Sequence, residues 1–364
     1  MTDLAKITDL EKLKELLGKQ QSGARRVIDE AEMRAALRGR VKGQDHVIDD
    51  VTRLIRLQWG KAQRKRPIAN LLFLGPTGTG KTELAKVMAE YLYGDERNML
   101  RFDMGEFKGT EGVTRLIGSP LGYVGSQQGG QLTRAVLNNP KRLVLFDEIE
   151  KAVSEVFDVF LQMMGDGRLT EAGSGKVADF TQSIIILTSN AESDAIGKLQ
   201  EQIADYHEMV NAVKSHLADT KVFRAEIVGR IDRVYVFQPL EGLVVADIAA
   251  QKMENLAKEY ELELAYVDPQ FIVEAMSKGN KLSKFGVREL DRVINEMLGE
   301  SMLAAKEAGV ARVRLFVDED GTMRIGAADE EGPVAEAAAI EIPAESDETE
   351  EPAPRGGKGS RGGD

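Results

Sequence analysis

The residues best placed to do chemistry are Gly75-Pro76-Thr77-Gly78-Thr79-Gly80-Lys81-Thr82, which follow the apolar run 70–74 and precede an amphipathic stretch. Strand, glycine-rich turn and helix in that order make a phosphate loop. The glycines let backbone N–H groups curl around a β-phosphate, the Lys81 ammonium reaches β and γ oxygens, and the Thr82 hydroxyl can coordinate Mg²⁺. ATP and Mg²⁺ are the ligands this predicts. A second apolar run, 143–146, ends in Asp147-Glu148, putting two carboxylates at a strand's C-terminal tip, where ligands sit in open α/β sheets. Asp147 is expected to hold Mg²⁺ and Glu148 to polarise the attacking water, because phosphoryl transfer needs positioning and charge neutralisation more than covalent chemistry. A third run, 183–188, ends in Ser189-Asn190. Asn190 there either caps a turn or hydrogen-bonds the γ-phosphate and the lytic water from the same sheet edge.

Those tips need a sheet to hold them. From about 41 to 238 short apolar runs at 70–74, 100–103, 143–147, 183–188 and 234–237 alternate with amphipathic helices. That alternation predicts an α/β domain with a parallel sheet flanked by helices on both faces. Gln238-Pro239-Leu240 breaks the pattern. Beyond it, helices are expected near 242–260, 268–277 and 286–307 and a hairpin from 311–316 and 323–325, giving a small, mostly helical second domain over 239–326. Residues 1–40 read as a helical extension, with Leu4, Ile7, Leu10, Leu13, Leu16 and Leu17 at helical spacing. Residues 327–364 hold 11 Asp/Glu against 3 Lys/Arg and few large apolar residues, so they are expected to be disordered.

Charge narrows the function classes. With 48 basic and 60 acidic residues the chain carries −12, too little concentrated positive charge for a general nucleic-acid or anionic-membrane coat. Zero cysteines exclude disulfides and thiol chemistry. The N-terminus lacks a basic segment leading into an apolar one, and no run approaches ~20 apolar residues, so a cytoplasmic location without membrane contact is expected.

Gly122-Tyr123-Val124-Gly125 puts a bulky pair directly between glycines on a loop. Such a pair is poor core material, because nothing fixes its rotamers. It is either an exposed turn tyrosine or a mobile grip.

Taken together, GPTGTGKTELAK, LVLFDEIEKA, DGRLT, LTSN, FRAEIVGRID and GVREL, in this order and spacing, resemble the second ATPase ring of the ClpA/ClpB unfoldases, members of the AAA+ class, over roughly residues 30–326. The resemblance implies an AAA+ core followed by a small helical lid. It implies an adenine pocket lined by Val41-Lys42-Gly43-Gln44, and Arg230 as a finger reaching a neighbouring subunit's ATP. It also implies Arg288 as a nucleotide sensor, Tyr123 on a pore loop that grips threaded protein, and 166–179 as a second pore loop. A planar guanidinium that stays protonated suits developing γ-phosphate charge. A homo-oligomeric, hexameric ring acting on protein substrates is expected. Only about 40 residues precede Val41, so substrate selection, through an adaptor for example, is expected to come from elsewhere. Where protease-docking members carry an apolar tripeptide in a loop after the third strand tip, this chain reads Ala195-Ile196-Gly197-Lys198. An ammonium in an apolar pocket is costly, so a ClpP-type protease is not an expected partner. Two alternatives share the ATP site: a nucleic-acid machine such as a helicase loader, using Lys61-Ala62-Gln63-Arg64-Lys65-Arg66, and a nucleotide-switched scaffold.

Overall fold

The computed structural model describes residues 27–109, 111–123, 126–220, 223–278, 288–318 and 321–328. The expected helix at 4–17, Val124 and Gly125 of the glycine-flanked loop, and residues 329–364 lie outside them. The chain forms two compact units, one of residues up to 252 together with 273–293, the other of 253–272 together with residues from 294 on.

The first unit is built on five parallel strands, β1 (Ala69–Leu74), β2 (Met99–Asp103), β3 (Leu143–Asp147), β6 (Ile184–Ser189) and β7 (Arg233–Val236), in the order β2-β3-β6-β1-β7. The small strands β4 (Arg168–Thr170) and β5 (Val177–Asp179) pair antiparallel as a separate hairpin. β1, β3 and β6 are buried at every position, as strands covered on both faces must be. Their side chains divide alternately between two cores. Leu71, Phe73, Leu145 and Ile186 pack with helices α1 (Glu30–Arg40), α2 (Asp45–Trp59) and α3 (Lys81–Tyr93). Leu72, Leu74, Phe146 and Leu187 pack on the other side with α4 (Gly112–Ile117), α5 (Gln131–Asn138), α6 (Ser154–Asp166), α7 (Ser193–Gln202), α8 (Tyr206–Thr220) and α9 (Ala225–Val228). Each such side chain contributes about 1.5–3 kcal/mol on burial, so the sheet that carries the strand tips is held by packing on both faces.

Residues 195–198, expected in a loop, lie inside α7. Ile196, Leu199 and Ile203 share one helical face, and Ile196 is fully buried in the core. That apolar spacing outweighs the loop signal of Gly197.

In the rest of the chain, α10 (Leu243–Glu259), α11 (Pro269–Lys278) and α12 (Arg288–Glu307) accompany the antiparallel pair β9 (Arg312–Val317) and β10 (Met323–Ala327). An unforeseen strand, β8 (Glu263–Val267), lies parallel to β9 and completes a three-stranded sheet. No residue of β8 is fully buried, so it lacks the apolar alternation that marks a strand in a sequence.

Candidate nucleotide site

Because β1, β3 and β6 are parallel neighbours, their C-terminal tips open on one edge of the sheet. Leu74 is in register with Ser189, and Phe146 with Leu187. The glycine-rich loop leaves β1 there and enters α3 at Lys81. Gly75 takes φ +131°, and a Cβ on it would come 2.6 Å from the Phe237 carbonyl oxygen, so only glycine lets the loop start this close to the segment after β7. Lys81 folds back over the loop, its Nζ donating to the carbonyls of Gly75 (2.6 Å) and Pro76 (2.7 Å). Thr79 Oγ1 donates to the Pro76 carbonyl at 3.0 Å. The ammonium therefore already stands over a glycine-lined cradle, where phosphate oxygens would replace those carbonyls.

Asp147 is buried with both carboxylate oxygens engaged. Thr188, on the adjacent β6, donates its hydroxyl to one oxygen, and Arg101, on β2, donates to the other from Nη2 (2.6 Å) and Nε (3.1 Å). Glu148 has left-handed backbone, φ 57° and ψ 54°, which for a side chain with a Cβ costs about 1–2 kcal/mol. Its N–H donates to Thr188 Oγ1 at 3.2 Å, and its carboxylate pairs with the Lys151 ammonium. That hydrogen bond holds the lysine above its ordinary pKa. Asn190 connects the strand tips, its Nδ2 reaching Thr77 Oγ1 at 3.3 Å and Glu148 Oε1 at 3.4 Å. It acts here as a tie between motifs rather than a helix cap, since the α7 N-cap position is Glu192.

Val41 is buried, with its Cγ1 3.3 Å from where a Cβ on Gly80 would be. Gln44 clamps the loop to the chain after β7, donating from Nε2 to the carbonyls of Thr79 (3.3 Å) and Gln238 (2.9 Å) and accepting from Gln238 N at 3.0 Å. Lys42 turns to Asp247, with its Nζ 3.3 Å from the carboxylate. Thr82 occupies the first turn of α3. Among the described residues no three His, Cys, Asp or Glu gather into a metal cage. One hydroxyl and one carboxylate suit Mg²⁺, which keeps several waters and takes its remaining ligands from phosphate. The cradle and these donors fit Mg²⁺-ATP.

One expected site residue is not at this edge. Arg230 lies at the opposite end of β1, its carbonyl accepting from Asn70 Nδ2 (3.1 Å) and Arg66 Nη2 (2.8 Å). The five strand residues from Asn70 to Leu74 at ~3.3 Å each put its backbone about 16 Å from the phosphate loop. Its exposed guanidinium lies over Gly165 at the end of α6, where a Cβ would come 2.0 Å from Nη1. Arg288 begins α12, and its side chain falls outside what is described. Of the glycine-flanked loop, Gly122 and Tyr123 are described, and Tyr123 is 70% exposed. Arg101, Thr188 and Lys151 were not anticipated. Their targets lie on neighbouring strands or a following turn, and a single sequence does not give strand order.

Fold and site together define a P-loop ATPase domain of the AAA+ class. Residues 66–234 match the family described as AAA domain (Cdc48 subfamily). Over 309 residues, 80% of its length, the chain is 40% identical to the chaperone protein ClpC1, chloroplastic, of Arabidopsis thaliana, of which it covers 33%. It is 40% identical over 295 residues to the chaperone protein ClpB of Dichelobacter nodosus, covering 80% of this chain and 34% of that one. Against ClpB of Oceanobacillus iheyensis the identity is 37% over 304 residues, 79% of this chain and 37% of the relative. Over four fifths of its length the chain is similar to Clp-family AAA+ ATPases, and it spans about a third of the length of these curated relatives.

Proposed function

We propose that the chain is a subunit of an ATP-hydrolysing ring, hexameric as in the resembled unfoldases, that unfolds, threads or remodels protein substrates in the cytoplasm. The observation that carries this is the position of Arg230. Its backbone sits about 16 Å from its own phosphate loop at the far end of β1, with an exposed guanidinium that makes no ion pair among the described residues. A guanidinium so placed can serve a neighbour's γ-phosphate and not its own, so each site is completed only by assembly.

Within a subunit, Lys81 and the loop N–H groups bind and orient the phosphates, and Val41 and Gln44 support the adenine side. Asp147, held by Thr188 and Arg101, presents its carboxylate toward the metal shell together with Thr82. Mg²⁺, when bound, supplies neutralisation of the phosphate charge. Glu148 takes the proton of the attacking water after exchanging Lys151 for that water, and Asn190 orients it. Arg288, from α12, is assigned to nucleotide sensing by the family resemblance. Gly122, Tyr123, Val124 and Gly125 form the substrate grip.

A nucleic-acid role finds less support. Arg64 is spent on the carbonyls of Gln58 and Trp59, and Arg66 on those of Met164 and Arg230, so half of the basic run tethers the domain's own backbone. Mixing Arg230→Ala subunits with Glu148→Gln subunits, each inactive alone, tests the ring. Mixed assemblies contain interfaces at which both residues are wild type, so partial ATPase activity is expected to return. Absence of recovery with mixing demonstrated by mass would count against catalysis across the interface.

A further inference from the structure

Glu171 carries a charge where the fold has no catalytic use for one. It follows β4, is only 6% exposed, and lies on the far side of α6 in sequence from the Asp147-Glu148 pair. Burying a carboxylate is costly unless donors meet it, and two do. Gly130 N donates to Oε1 at 3.1 Å, and the Ser174 hydroxyl donates to Oε2. Gly130 is the N-cap residue of α5 and the far end of the loop that begins at Gly118 and carries Tyr123. The two ends of that loop close on each other: a Cβ on Gly130 would come 2.2 Å from the Leu116 carbonyl oxygen. The turn after β4 is stitched to the same neck by a backbone hydrogen bond from Ala172 N to Ile117 O, 2.9 Å. Above the neck, Leu121 and Tyr123 are 77% and 70% exposed.

We infer that Glu171 is a positioning residue that latches the neck of the Tyr123 loop to the β4–β5 hairpin, so that the grip and the hairpin move as one body at the end of α6. A loop with an exposed aromatic at its tip transmits force only if its base is fixed, because a free neck absorbs displacement as backbone rotation. The carboxylate suits this role better than an apolar contact, since a hydrogen bond to a charged acceptor fixes direction as well as distance. The latch deepens the protein-threading function proposed above and rests on it for its consequence, though not for its geometry.

The experiment has two arms in the full-length chain. Hydrogen exchange, read by mass spectrometry over peptides covering 126–136 and 170–178, reports the latch itself. Glu171→Ala is expected to speed exchange at Gly130 and Ala172 by about tenfold or more, with α3 unchanged. The second arm fuses a fluorescent β-barrel reporter to the chain and measures fluorescence lost per ATP hydrolysed. Glu171→Ala is expected to keep basal ATPase within about twofold while reporter unfolding falls to the level of Tyr123→Ala. Glu171→Gln, which keeps an acceptor oxygen for Gly130 N–H, is expected to restore both readouts. Unchanged exchange in Glu171→Ala would overturn the latch. So would full reporter unfolding by Glu171→Ala in an assay where Tyr123→Ala fails. If Tyr123→Ala itself unfolds the reporter normally, threading is what fails, and the exchange arm alone decides whether the latch exists.

Discussion

Lys81 follows the tip of β1 and Glu148 the tip of β3, and the two separate binding from turnover. Lys81 supplies the only phosphate-loop cation, and its ammonium already rests on the carbonyls of Gly75 and Pro76. Glu148 reaches toward Asn190 and carries a backbone strain that only a fixed role repays. Lys81→Ala is expected to abolish ATP binding in an equilibrium assay. Glu148→Gln should bind ATP normally and turn it over at least about 100-fold more slowly. Normal turnover by Glu148→Gln would remove it from the catalytic role. The phosphate loop and the acidic pair were legible in the sequence because each follows an apolar run at a fixed spacing. Arg101 and Thr188 were not: they meet Asp147 only because β2 and β6 flank β3, a fact of strand order rather than spacing.

Among the elements, α6 connects the parts that would move. It begins three residues after Lys151, the partner of Glu148, and ends at Asp166, one residue past the Gly165 that lies under the Arg230 guanidinium and just before β4 and Glu171. Arg224, the N-cap residue of α9, pairs with Asp158 of α6 at 2.7 Å, which fixes the segment leading to Arg230 against the same helix. Gly165→Ala sets two effects against each other. Helix propensity favours alanine by about 1 kcal/mol, so melting temperature should hold or rise. The new Cβ must displace Arg230, so ATPase of the assembled protein should fall by about tenfold or more. Unchanged ATPase in that variant would show the seat of Arg230 to be irrelevant. A second element-scale effect lies in buried tyrosines. Burial pushes the Tyr206 hydroxyl up to about 12, and burial also raises Tyr93 and Tyr235, the latter donating to Asp50 at 3.0 Å. Unfolded tyrosine ionises near ~10, so this stability is complete below pH ~10 and is lost as pH rises toward the folded values. Tyr206 alone accounts for roughly 2–3 kcal/mol of that loss. Urea midpoints should therefore be flat from neutrality to about pH 10 and fall steeply above it, less so in Tyr206→Phe. The five core strands were readable as apolar runs, each within a residue or so of its observed limits. β8 and the helical setting of 195–198 were not, because one exposes most of its side chains and the other carries a glycine that its helix tolerates.

At the scale of the whole molecule, the parallel sheet puts the nucleotide motifs on one edge and Arg230 on the other, so the proposed ring would draw on two different surfaces of each subunit. Among the described residues no helix is long and apolar enough to cross a membrane. What turns an ATPase domain into a threading machine is a grip on polypeptide, and the exposed Tyr123 ring can supply it by dispersion and apolar burial without any particular partner side chain. Hydrolysis has no use for that ring, because Tyr123 belongs to none of the motifs at the strand tips. The most direct measurement is ATP consumed and reporter fluorescence lost, side by side, for wild type and Tyr123→Ala with the β-barrel reporter fused to the chain. Basal ATPase within a few-fold of wild type together with loss of reporter unfolding is the expected result. As a mere exposed turn tyrosine, its loss would shift stability by no more than about 0.5 kcal/mol and leave both activities intact, and intact unfolding by Tyr123→Ala would contradict the proposal that this chain threads protein.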